Sequence, residues 1–209
     1  HIHNSSPSVD NNNIISNTAT IGGGGLSVDG HSWPRVVNNT LANNAVGLYG
    51  GGVYIEGAAP EFTNNLIRHN ATGSVAGGFY MLNATPLLQN NTIVDNSPTS
   101  NGEGVYIAGT SSPLIVNNII ANNGQGVVVA GDAATPTVMR NNVWNNRAGD
   151  FVGLDTGDNL SVDPLFVRGR EGHYYLSHVS AGQSQNSPLL DAGTAQASEL
   201  GLDTRTTAI

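Results

Sequence analysis

Asp29 and Glu56 stand 27 residues apart, and each closes a short alternating segment, Leu26-Ser27-Val28-Asp29 and Val53-Tyr54-Ile55-Glu56. Two carboxyl groups held side by side raise the pKa of one of them, which is what acid/base work on a glycosidic bond requires, and His31 follows close by. The plainer alternative is a pair of solvated surface acids. His69 and Asp95 form a second pair, 26 residues apart, with Arg68 adjoining. Such a pair would remove a proton beside a uronate carboxylate held by the guanidinium, unless the two only replace Asn in a stack of corner side chains. Tyr54, Tyr80 and Tyr106 recur every 26 residues. Exposed rings at that interval would make a platform for sugar rings, or would simply cover a sheet.

These intervals belong to a repeat that runs through most of the chain. One phrase recurs six times, beginning at Pro7, Pro34, Pro60, Pro86, Pro113 and Pro136, with spacings of 27, 26, 26, 27 and 23. Pro34-Arg35-Val36-Val37-Asn38-Asn39 and Pro113-Leu114-Ile115-Val116-Asn117-Asn118 are two of its copies. The positions two and seven after Pro are apolar in every copy; those five and ten after it are Asn in every copy. Between the phrases lie Gly-led segments such as Gly52-Val53-Tyr54-Ile55 and Gly104-Val105-Tyr106-Ile107, which alternate with the period of a strand.

A unit of about 26 residues therefore carries about three short strands separated by corners rich in Asn and Gly, residues that tolerate a left-handed backbone. One such unit cannot bury its own apolar side. Stacked coils about 4.8 Å apart can, and they superimpose equivalent residues. Buried corner Asn side chains then bond to the backbone and to the Asn above and below. The pattern predicts an all-β parallel solenoid of about six to eight coils, with repeat coils over 1–147 and an irregular loop and closing coils of the same domain over 148–209. By the same alternation Val53 and Ile55 face inward, and Tyr54, Tyr80 and Tyr106 face out.

Gly50-Gly51-Gly52-Val53-Tyr54-Ile55, the Pro-led Asn-Asn phrases and the Asn ladders resemble the right-handed parallel β-helix proteins of the pectate-lyase-like superfamily. Asp163-Pro164-Leu165-Phe166, Tyr174-Tyr175-Leu176 and Ser187-Pro188-Leu189-Leu190-Asp191-Ala192-Gly193 are similar to the closing segment of secreted bacterial members. The resemblance implies a right-handed coil and a secreted or cell-surface location. It leaves activity open, since members cleave, epimerise or hydrolyse acidic polysaccharides while others bind surfaces. Several lyases of this fold work through Lys. All seven basic residues here are Arg, so that mechanism has no residue to use. Asp155-Thr156-Gly157-Asp158, with Asp163 beyond, is the one oxygen-rich stretch suited to calcium, and it lacks a full calcium-loop spacing; no other metal or cofactor is expected.

Composition narrows the partners. A net charge of −8 with no Lys disfavours nucleic acid and polyanionic pectin or alginate, so neutral glycans fit better. No apolar run reaches the length of a membrane span, no leader opens the sequence at His1, and Cys is absent, so the expectation is a soluble chain, mature or excised, without disulfides. Arg35 and Glu61, each one residue after Pro, read as a surface ion pair. Asn-x-Ser/Thr triplets begin at Asn4, Asn38, Asn70, Asn83, Asn90 and Asn159, of which Asn83 is the surface candidate for a glycan.

The sequence thus predicts a secreted or surface rod that binds or presents a polysaccharide or cell-surface glycan without catalysis. Tyr54, Tyr80, Tyr106 and Arg68 are its candidate binding residues. The alternatives are a polysaccharide lyase, hydrolase or epimerase using Asp29 with Glu56 or His69 with Asp95, and a structural subunit that self-associates end to end through uncapped coils.

Overall fold

The computed structural model describes residues 1–97, 102–169 and 172–194, in two compact units, His1–Ser161 and Val162–Ile209. The first unit is a parallel solenoid of about six turns. Its first sheet pairs Ile2–His3, Leu26–Asp29, Val53–Glu56, Phe79–Leu82, Glu103–Ala108, Gln125–Ala130 and Phe151–Val152 in coil order. The second sheet holds the strand after each Pro, from Ser8–Asp10 to Thr137–Met139. The third runs from Asn13–Ile15 to Asn142–Trp144. A fourth, short sheet of Thr18–Ala19, Ala45–Val46 and Ala71–Thr72 extends three of the coils beyond the three strands expected.

Left-handed positions recur in every coil, three of them at the corners that flank the second- and third-sheet strands, with a further one such as Gly50 or Ala76 ahead of the first sheet. In one coil the three corners are Gly57, Asn64 and His69, at φ 59°, 57° and 53°; in the next they are Asn83, Asn90 and Asp95, at 50°, 55° and 54°. Between them the inward residues stack by type: Val36, Phe62, Leu88 and Ile115 from the second sheet, and Leu41, Ile67, Ile93 and Ile120 from the third. All are fully buried.

Two Asn ladders close the core where the chain turns. Asn39, Asn65, Asn91, Asn118 and Asn141 each donate from Nδ2 to the Oδ1 of the next coil's rung, at 2.9–3.0 Å, the last of them to Asn159. The second ladder runs from Asn17 through Asn44, Asn70, Asn96 and Asn123 to Asn146, and ends on the Asp150 carboxylate. Past the first rung each Oδ1 also takes the backbone N–H of the preceding rung, and each Nδ2 also donates to a backbone carbonyl. Among the described residues no buried side-chain N or O lacks a partner, as burial of so many amides demands. Asn70 is wholly buried in its ladder and so is closed to a glycan.

Parallel pairing continues beyond 147. Phe151–Val152 joins the first sheet, and a bridge links Asn142 to Leu160. The second unit begins at Val162. Its described residues form an antiparallel hairpin, Phe166–Gly169 against Gly172–Leu176, and a short 3-10 turn over Val179–Ala181. The Pro-led phrase and its Asn rungs are absent from this stretch, which removes what turns a coil. The final segment, 195–209, lies outside the described residues.

Candidate functional site

The outer face of the first sheet carries most of the side chains able to do chemistry. Tyr54, Tyr80 and Tyr106 are register partners on successive strands. Their rings stack in parallel, with centroids 5.5 and 5.6 Å apart and planes within 8°. The expected row of exposed rings is corrected here. Tyr80 is buried at 9 %, because Tyr49 packs over it at 4.8 Å and also reaches Tyr54 at 6.5 Å. Ala76, Val75, Leu82 and Ala108 complete a small apolar cluster outside the main core. Tyr80 thus spends both its faces on neighbouring rings, whereas Tyr54 and Tyr106 at the ends of the stack are half-buried. Burial raises the pKa of all three phenols, reinforced at Tyr54 by the hydroxyl's 2.8 Å bond to Glu56, at Tyr80 by Tyr49 and at Tyr106 by Glu103. The hydroxyls therefore remain protonated donors.

Asp29 and Glu56 are register partners, as the repeat implies. Their partners differ from those expected. The corner at Gly30, φ 65°, carries His31 away from the strand, where its backbone N–H donates to Asn4. The imidazoles that meet Asp29 are His1 and His3, with Nε2 and Nδ1 at 2.9 and 2.5 Å from its two oxygens. The signal for this was present in the sequence: residues i and i+2 of a strand share a face, and His3 precedes Asp29 by one coil.

His69 and Asp95 occupy one corner position in successive coils, the column that also holds Ser16, Asn43, Asn122 and Asn145, all at φ 53–59°. Asn, Asp and His are the side chains enriched at left-handed positions, so the backbone alone accounts for their types there. Arg68 sits on the third sheet beside them. The two predicted acid/base pairs thus lie on different sides of the coil and are not brought together. Arg35 and Glu61 are register partners, yet no ion pair joins them; both project into solvent. Asp158 of the candidate calcium stretch is engaged by Arg140 at 3.0 Å, and Asp163 accepts the backbone N–H of Leu165.

Glu103 was not anticipated. It lies buried in the first sheet, where its Oε2 accepts the N–H of Ala76 at 2.6 Å. Burial raises its pKa, and the backbone N–H bonds from Ala76 and its own residue oppose that only in part. The folded chain then holds a proton that the unfolded chain has released. Stability is accordingly greatest below the ordinary carboxyl range and falls as pH rises through the folded value. Glu103→Gln is expected to remove this decline and raise the denaturation midpoint at pH 8 while leaving it little changed at pH 4. An unchanged pH profile would show that Glu103 does not set it.

Among the described residues no helix is long and apolar enough to cross a membrane. No curated protein and no solved structure matches the chain significantly. A family model described as a right-handed β-helix region matches residues 1–163. With three parallel sheets, stacked Asn ladders and that match over most of its length, the chain belongs to the right-handed β-helix family.

Proposed function

We propose that the protein is a rigid rod, secreted or displayed at a cell surface, that binds carbohydrate along the outer face of its first sheet without turning it over. The observation that carries this reading is the register-aligned stack of Tyr54, Tyr80 and Tyr106 beside Glu56. Protonated phenol groups both donate and accept, and their rings recur every 5.5–5.6 Å along the stack, comparable to the length of a pyranose unit. An extended glycan laid across these three coils would meet Tyr54 and Tyr106 on either side of the buried Tyr80. The net charge of −8 favours neutral over polyanionic chains. Commitment of Asp29 to two imidazoles and of Glu56 to Tyr54 supports binding rather than acid/base turnover.

The test is retention on a panel of insoluble neutral and acidic polysaccharides, with new reducing ends and unsaturated products followed together. The wild type should be retained on a neutral glycan without products. Tyr54→Phe combined with Tyr106→Phe keeps the stack and removes two hydroxyls, and should weaken retention about tenfold. Retention unaltered by this pair would remove the contact surface from the reading, and products from the wild type would replace binding with catalysis.

A further inference from the structure

We propose that His1, His3 and Asp29 form a binding site for a first-row divalent metal ion such as zinc. The alternation His1-Ile2-His3 buries Ile2 in the core and sends both imidazoles to the outer face of the first sheet. Asp29, the register partner of His3 on the next strand, meets them there. His1 Nε2, His3 Nδ1 and a carboxylate oxygen of Asp29 all lie within 4.8 Å of one another. Ligand atoms about 2 Å from a shared tetrahedral ion stand about 3.3 Å apart, so small side-chain rotations suffice to seat one. Two imidazoles and a carboxylate suit zinc, cobalt or ferrous ion rather than calcium, which takes oxygen ligands.

The surroundings fit the same purpose. Three protein ligands leave coordination positions open, and His1 and His3 are exposed, so those positions face solvent. Asn4 Nδ2 lies 2.8 Å from His3 Nε2, the ring nitrogen that would not bind the ion. On loading, the ring hydrogen belongs on Nε2, and the Asn4 amide, whose Oδ1 holds the His31 backbone N–H, gives up its contact with that nitrogen. Glu56, next to Asp29 in register, is held by Tyr54 and stays outside the ligand set.

The experiment is titration of the full chain, prepared without a polyhistidine tag, with zinc by calorimetry and with cobalt by its visible d–d absorption. One ion per chain is expected. His3→Ala and Asp29→Asn should each weaken binding about 10- to 100-fold or more, while His31→Ala and Glu56→Gln leave it unchanged. No saturable binding, or binding indifferent to His3→Ala and Asp29→Asn when their circular dichroism matches the wild type, would each overturn the site. None of these outcomes depends on glycan retention.

Discussion

Asn91→Ala is expected to lower folding stability by about 3–5 kcal/mol. Asn91 is the middle rung of its ladder. Its Oδ1 accepts the backbone N–H and the Nδ2 of Asn65, both at 2.9 Å, and its Nδ2 donates to the Phe62 carbonyl at 2.8 Å and to Asn118 Oδ1 at 3.0 Å. Ala removes all four bonds and leaves the Asn65 donors and the Phe62 carbonyl in a space too enclosed for water to reach freely. Each buried group left unpaired costs about 1–3 kcal/mol, partly relieved by local shifts. Asn12 is the control. It is exposed, it donates to Asn39 Oδ1, and none of the described residues donates to its own Oδ1, so Asn12→Ala should cost under about 1 kcal/mol. Urea denaturation followed by far-ultraviolet circular dichroism checks both. Equal losses at the two rungs would mean that the ladder does not stabilise the coil through its buried bonds.

Phe62→Ala is the second large effect, at about 3–5 kcal/mol. Phe62 is fully buried in the second-sheet stack, between Val36 and Leu88 in register. Its ring meets Phe79 of the first sheet edge-on, with centroids 5.0 Å apart and planes at 89°. Phe62 and Phe79 are the aromatic rings among the buried residues of this core, and the pair packs across the coil between the second and first sheets. Truncation forfeits the ring's transfer energy, the edge-to-face contact and the packing around the void, because backbones held in three ladders cannot close on it. Phe62→Leu should recover most of the loss, since Leu88 fills the same place one coil on. The denaturation midpoints of the two variants decide this, and similar losses for Ala and Leu would argue that the ring contact, rather than volume, matters.

Much of this was legible in the sequence because a solenoid repeats its environment. An Asn at the same offset in each of six copies must meet the same partners six times, so both ladders could be read from spacing. The outward direction of Tyr54 and the pairing of Asp29 with Glu56 followed from strand alternation and one coil's interval. The reading failed where side chains leave their column. Tyr49 belongs to no strand, yet it covers Tyr80 and turns an expected open platform into a closed stack. Glu103 could not be identified as buried from its type, which is ordinarily exposed. Past 161 the Asn rungs stop, and the period that predicted coils has nothing to say about the hairpin that follows.

By itself, then, the sequence determined the coil: its length, its inward apolar stacks, its left-handed corners and its Asn ladders, all consequences of local period and of the need to satisfy buried amides. Only the tertiary structure decided which groups meet on the outer face, that His1 and His3 rather than His31 close on Asp29, and that Tyr49 buries Tyr80 within the stack. The physical reason is that a core position is constrained identically in every coil, whereas an outer side chain takes its place from the few neighbours that happen to reach it.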